Sequence, residues 1–277
     1  MILFTKAHAC GNDFLIVTEE AAAGQDFAAL TRRLCQRNTG IGADGIEFFK
    51  WINKSGPGPR SGRVRLHNAD GSVAEISGNG TRCVAAWMAQ SLDSKPGDTL
   101  EITTDAGIRT CRIVSVRNGD EFAVEVTAAM GVPRIAARSI ELAAGVKIKG
   151  PEVSIGNPHF VVEVDNPEFA VAGKSWQEIG GEICVHPDFP NQTNVEFLRI
   201  LSPSQIEIRI YERGVGPTSS SGTGTSASAA AALAFKGCTS PLKVVAPGGV
   251  QTVEWSGPGS ELHLTGPADL IARGEAW

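Results

Sequence analysis

The chain has 277 residues, of which 42% are hydrophobic and 20% charged, a composition that suits a globular protein with a sizeable core and room for two domains. Its net charge is −5 with Lys and Arg scattered along the chain, which argues against a nucleic-acid partner and against an anionic membrane surface. No segment approaches the roughly 20 apolar residues of a membrane span, and the start Met1-Ile-Leu-Phe-Thr-Lys6 is too short an apolar run for a signal peptide, so a cytoplasmic protein is expected.

Leu3 to Lys6 and Phe14 to Val17 read as short strands around the turn Ala9-Cys-Gly-Asn-Asp13. Asp26 then caps a helix whose apolar positions Phe27, Leu30 and Leu34 keep helical spacing. The glycine-rich run Thr39 to Gly45 leads into a strand at Ile46 to Lys50, and a basic Gly/Pro-rich loop is expected from Asn53 to Arg63. Val64 and Leu66 alternate with Arg65 and His67 into the turn signal Asn68-Ala-Asp-Gly71. Further strands are expected near Leu100 to Thr103, Cys111 to Val116 and Phe122 to Val126. In the second half the strand candidates are Phe160 to Val164, Val195 to Ile200 and Gln205 to Tyr211, the last alternating cleanly through Ile206, Ile208 and Ile210. An alanine-rich helix ends at Lys236-Gly237, a basic last turn followed by a glycine, and Val244 to Pro247, Val250 to Trp255 and Leu262 to Leu264 read as a closing meander. Many strands with few helices argue for an α+β fold.

Two segments carry more information than the rest. Ser77-Gly-Asn-Gly-Thr81 and Ser221-Gly-Thr-Gly-Thr225 repeat one pattern 144 positions apart, and each leads into an alanine-containing helical stretch. The chain therefore looks duplicated. A Ser-Gly-x-Gly turn ahead of a helix leaves backbone N–H groups unpaired, with the positive end of the helix dipole behind them, so each copy suits an anion such as a carboxylate. Two such turns facing one another would place a serine side chain on either side of a single carbon. The 32 glycines, far above the usual roughly 7%, fit a small-molecule site built largely from main chain. Six cysteines (Cys10, Cys35, Cys83, Cys111, Cys184, Cys238) and five histidines (His8, His67, His159, His186, His263) show neither CxxC nor helical pairing, so neither a disulfide framework nor a metal centre is expected. Cys83, offset round the helix from Ser77, reads as buried filler.

The motifs His8-Ala-Cys-Gly-Asn-Asp-Phe14, Gly40-Ile-Gly-Ala-Asp-Gly45, Asn68-Ala-Asp-Gly-Ser72, Ser77-Gly-Asn-Gly-Thr-Arg-Cys83, Gly156-Asn-Pro-His159, Thr193-Asn-Val195, Tyr211-Glu-Arg-Gly214, Ser221-Gly-Thr-Gly224 and Pro247-Gly-Gly249 follow one another in order. Together they resemble the diaminopimelate epimerase family from residue 1 to about residue 267. The resemblance implies two pseudo-symmetric α+β domains, each a mixed sheet curled around a central helix: residues 1–121 completed by 266–277, and residues 122–265, with the active site in the cleft between them. It also implies epimerisation of LL- to meso-diaminopimelate in lysine and cell-wall synthesis, without pyridoxal phosphate or any other cofactor, by a homodimer. The family's substrate contacts carry over to Asn12, Asn68, Gly78, Asn79, Asn157, Asn194, Glu212, Arg213, Gly222 and Thr223; Gly45 stands where some members have a glutamine contact.

The family's catalytic positions fall on Ser77 and Ser221, where its members have cysteines, one thiolate removing the α-proton and one thiol protonating the opposite face. A thiol has a reference pKa near 8.5, which a helix N-terminus lowers, whereas a serine hydroxyl supplies no comparable base at neutral pH. Two explanations stay open: the cysteines were replaced by near-isosteres, or the natural chain carries serines. An isomerase or dehydratase that uses His159 or Glu212 as base, another amino-acid racemase on the same scaffold, and a catalytically silent amino-acid binding protein are the rival readings.

Overall fold

The computed structural model describes residues 1–119, 122–143 and 145–277. Its backbone contacts divide into two compact units, Met1–Ala129 with Thr265–Trp277 and Met130–Leu264. The boundary expected at residue 121 lies outside the described residues.

The first unit starts with a hairpin of β1 (Ile2–Ala9) and β2 (Asn12–Thr18), in which Ala9 pairs with Asn12. Its two-residue turn holds Cys10 at φ 53° and Gly11 at φ 80°, the double positive φ that a tight hairpin turn needs to match the twist of its strands. A parallel neighbour then requires a crossover, which α1 (Phe27–Leu34) supplies before β3 (Gly45–Asn53). Asp26 caps α1 as its position suggests, its Oδ1 accepting from the N–H groups of Ala28 at 2.9 Å and Ala29 at 3.2 Å. The apolar face of α1 packs Leu30 and Leu34 against Leu15, Ile46 and Phe48, and the Phe27 ring stacks on Phe48 with centroids 4.0 Å apart. Strand β4 (Arg60–Asn68) runs antiparallel to β3 and pairs with the short β5 (Val73–Ala74). The second crossover, α2 (Gly78–Leu92), returns to β6 (Thr99–Thr104) parallel to β4; β7 (Gly107–Asn118) and β8 (Phe122–Gly131) follow antiparallel. Helix α2 packs on β1, β2, β6 and β7, so the sheet curls around it.

The second unit repeats this wiring. Strands β9 (Arg134–Glu141) and β10 (Lys147–Ser154) precede β11 (Pro158–Glu163); α3 (Trp176–Cys184) crosses to the parallel β12 (Asn194–Ser202); β13 (Gln205–Glu212) is antiparallel to β12 and pairs with β14 (Gly216–Thr218). Helix α4 (Gly222–Phe235) then crosses to β15 (Leu242–Ala246), parallel to β13, and β16 (Gly249–Glu254) closes a hairpin with it. Every residue of α4 from Gly222 to Ala232 is buried, and the helix packs on β10, β11, β12, β13, β15 and β16. A helix buried all round has small side chains here because strands surround it closely. Strand β17 (Leu262–Ala276) starts in the second unit and runs on into the first, where Leu270 to Ala276 pair antiparallel with β1.

The duplicated α+β architecture of mixed sheets around a central helix is thus present; β9 and β10 are not among the expected strands, and three other elements differ from expectation. The loop after Asn53 ends sooner, because β4 begins at Arg60 and Arg60 to Arg63 pair with Leu100 to Thr103. The strand expected at Leu262 to Leu264 continues for twelve more residues. Helix α3 went unanticipated, since its Gly180-Gly181 pair lowers helix propensity; Gly180 is required by packing, as a Cβ there would sit 2.8 Å from the Tyr211 Cβ. No helix among the described residues is long and apolar enough to cross a membrane. The Asp26 cap gives a direct check on α1: Asp26→Ala should lower stability by about 1 kcal/mol in denaturant unfolding, with an unchanged slope.

Candidate active site

Both Ser-Gly-x-Gly turns are helix N-termini of the same construction. Ser77 caps α2 in extended backbone, φ −124° and ψ 123°, and its Oγ accepts from the Gly80 N–H at 3.0 Å. Ser221 caps α4 at φ −145° and ψ 127°, and its Oγ accepts from the Gly224 N–H at 3.2 Å. Neither helix has an acidic residue of its own in its first turn, so its own sequence leaves the positive end of the dipole uncompensated. As an acceptor in the cap, each serine keeps its one O–H free to turn.

In the first unit the predicted contacts Asn12 and Asn79 belong to one polar chain. The fully buried Arg82 donates through Nη2 to Asn79 Oδ1 at 2.7 Å, Asn79 Nδ2 donates to Asn12 Oδ1 at 3.2 Å, and Asn12 Nδ2 donates to Asp44 Oδ2 at 2.5 Å. Asp44 is anchored by Arg37, which also binds Asp13; together with Lys6 this cluster holds the Asp13 carboxyl below the usual carboxylate range despite its burial. Gly78 lies in the first turn of α2 beside Ser77. Asn68, at the end of β4, bonds instead within its own turn, Nδ2 to Ser72 Oγ at 3.1 Å. It pairs across the strands with Gly45, where a Cβ would lie 2.6 Å from the His67 carbonyl oxygen; the missing glutamine is therefore a backbone approach that no side chain fits.

In the second unit the corresponding chain reaches the serine. Glu196 Oε1 and His159 Nδ1 are 2.7 Å apart, His159 Nε2 donates to Asn157 Oδ1 at 2.9 Å, Asn157 Nδ2 donates to Thr223 Oγ1 at 3.3 Å, and the Thr223 and Ser221 hydroxyl oxygens are 3.4 Å apart. Gly222 lies between these two hydroxyl residues in the first turn of α4. Because Nε2 must donate to the amide oxygen, the proton between Nδ1 and Glu196 is the mobile one: it sits on the imidazole as an ion pair or on the carboxyl as a neutral pair. Burial pushes the Glu196 carboxyl up and the neighbouring His159 opposes it. Asn194 and Arg213 form a separate pair at the strand ends, with Asn194 Oδ1 accepting from the Arg213 backbone N–H at 2.9 Å, while the Arg213 guanidinium donates to the Asn191 carbonyl at 3.0 Å. Glu212 precedes it at the end of β13, opposite Gly216.

Two residues that matter here escaped the sequence reading. Glu47 and Glu196 stand in register, opposite Ile16 and Val161 in the two parallel strand pairs, and each is buried. A Cβ on Gly80 would collide with Glu47 Oε1 and lie 3.1 Å from both Glu47 Cδ and Ser77 Cβ. A Cβ on Gly224 would lie 2.8 Å from Glu196 Oε1 and 3.2 Å from Ser221 Cβ. The second glycine of each turn is therefore the gap through which a buried carboxyl approaches the serine. The signal was a lone acid inside an apolar run, Ile46-Glu-Phe-Phe49 and Val195-Glu-Phe-Leu198, itself a repeat.

Burial raises the Glu47 carboxyl from its ordinary 4.5 to about 8. The folded state thus keeps a proton that the unfolded chain gives up near 4.5, so this contribution to stability is complete below that pH and is lost as pH rises toward 8. Glu47→Gln should remove that decline, and unfolding measured from pH 4.5 to 8 should show a flatter stability profile for the variant than for the parent.

Known proteins bear on this geometry. A family model described as diaminopimelate epimerase matches residues 4–135 and 152–271. The diaminopimelate epimerase of Desulforudis audaxviator (strain MP104C) is 36% identical over 98% of both chains, and that of Pseudomonas aeruginosa (strain LESB58) is 33% identical over 99% of both. A solved hydroxyproline epimerase from Agrobacterium vitis with bound trans-4-hydroxy-L-proline shares the fold at a TM-score of 0.68 and 17% identity, over 99% of this chain and 90% of that one. With matched motifs on two serine-capped turns and full-length relatives at this identity, the chain belongs to the diaminopimelate epimerase family of isomerases.

Proposed function

We propose that the chain binds diaminopimelate and interconverts its LL and meso forms by proton transfer at the α-carbon, without a cofactor, as a step in lysine and cell-wall synthesis and as a cytoplasmic homodimer. The observation that carries this reading is the pair of serine-capped helix N-termini, neither with an acidic residue of its own in the first turn, at the positions that match the family's two cysteines. Their amides suit the substrate α-carboxylate, and the dipoles behind them stabilise the charge that develops as the proton leaves. Asn12, Asn68, Asn79, Asn157, Asn194, Glu212 and Arg213 supply polar groups for the amino group and the distal end.

The reaction needs both half-sites on one carbon. From one face the Cα–H proton is taken and its electron pair stays on carbon, delocalised into the carboxylate; from the other face a proton is delivered, giving inversion. With hydroxyls in place of thiols the step is slow unless a neighbouring group holds the proton. A second reading, isomerisation with His159 as base, is favoured by the chain that links His159 through Asn157 and Thr223 to Ser221. Deuterium in the α-position with inverted stereochemistry distinguishes the epimerase from this alternative, whose product would be a different compound.

The double change Ser77→Cys with Ser221→Cys should raise epimerisation of diaminopimelate in deuterated buffer, each single change doing far less, since one positioned acid or base is typically worth about 10²–10⁴-fold. A folded, substrate-binding double variant without exchange or inversion would remove the two-base reading. For the distal end, Arg213→Lys should weaken binding by about 1.5–3 kcal/mol in calorimetry, because the planar fork is lost although the charge stays. Unchanged affinity would leave Arg213 as a strand-end residue that only holds Asn191.

A further inference from the structure

Glu47 is a buried acid with one carboxylate oxygen, Oε2, that has no hydrogen-bond partner. Such a group is costly, and nothing in the packing of the strand requires it. On β3 the residues Gly45, Glu47 and Phe49 share a face, and Phe49 meets Trp87 of α2 at a centroid distance of 4.8 Å, so this face looks at α2. Glu47 lies at the N-terminal end of that contact, against Gly80 and beside Ser77. The groups around it are apolar or neutral. Its register partners are Ile16 on β2 and Leu66 on β4. From α2 it faces Gly80, Ser77 and Cys83, whose thiol is pushed up chiefly by burial, with the Arg82 charge opposing and the Glu47 charge adding to the effect.

We propose that Glu47 is the proton-holding group of the Ser77 half-site, a positioning residue that exchanges a proton with the Ser77 hydroxyl. The proposal rests on the epimerase reading above. When reaction starts at the Ser77 face, the Cα–H bond breaks, its electron pair remains on carbon, Ser77 Oγ takes that proton and the original hydroxyl proton passes to the Glu47 carboxylate. In the opposite direction the Glu47 carboxylic acid gives its proton to Ser77 Oγ while the hydroxyl proton goes to carbon. Charge and atoms balance without an oxidant or a further reactant.

With its carboxyl raised to about 8, Glu47 is present in both forms at neutral pH, which suits a group that must give and receive. The second unit places the equivalent carboxyl, Glu196, against His159, so a proton there has two homes. In the first unit the position that corresponds to His159 in register is Phe14, and Glu47 alone can hold the proton.

The test follows α-deuterium incorporation into LL- and meso-diaminopimelate in deuterated buffer, with binding measured by calorimetry, for the parent chain, Glu47→Gln, and Glu47→Gln with Ser77→Cys. The parent should exchange, and exchange initiated from the Ser77 face should rise with a limb near 8. Glu47→Gln should still bind, lose exchange of one stereoisomer by about 10²–10⁴-fold and lose that limb. Adding Ser77→Cys should restore exchange, because a thiol at a helix N-terminus ionises by itself and its thiolate takes the α-proton without Glu47. Glu47→Gln exchanging both isomers at the parental rate, an unshifted pH profile, or a parent that binds diaminopimelate without exchanging either isomer each overturn the proposal while leaving the binding reading intact. The pH profile of the parent alone decides the point should the variant fail to fold. A parent that binds neither isomer removes the epimerase reading and the proposal with it.

Discussion

Enclosing a helix in its own sheet creates a problem at its N-terminus. The first-turn N–H groups have no partners within the helix, and water cannot reach far into a site walled by strands. In this protein a serine solves part of the problem twice, each hydroxyl taking one amide, and the proposed function gives the remaining amides an anion. The glycines follow from the same constraint. Gly80 and Gly224 let a strand carboxyl approach the first turn, and the alanines of α4 let six strands close around it. What looks like compositional bias toward small residues is the geometry of a helix that must be both enclosed and open at one end.

The repeat was legible because this constraint leaves a compact local signature: a serine, two glycines and a threonine before a helix survive in both halves. The central strands were legible for a similar reason, their alternation through Ile206, Ile208 and Ile210 reporting one buried face. The pairing of distant strands was not, because register between Arg60 and Leu100, or between Ile2 and Ala276, leaves no local mark. The polar chains were half visible. Asn157 and His159 stand out in the sequence, yet that their partners are Thr223 and Glu196 follows from where α4 packs and from the parallel pairing of β11 and β12. Glu47 was passed over because an acid in an apolar strand reads as noise until the helix opposite it is known.

The two units share topology but differ in how they satisfy their polar groups. In the first, a buried guanidinium starts the chain, which ends on a carboxylate held by Arg37. In the second, a carboxyl and an imidazole start it and the chain reaches the serine. Duplication supplies matched scaffolds, and substitution at a few register-equivalent positions, such as Phe14 and His159, makes the halves chemically distinct.

Strand β17 carries a consequence for synthesis. Its pairing with β1 joins Ile2 to Ala276, residues far apart in the sequence. On the ribosome β1 emerges before β17 and waits with that edge unpaired while the residues between them are made. The unit that holds β1 is therefore finished only once β17 arrives, and the exposed edge of β1 is the site at which a stalled or shortened chain would find the wrong partner.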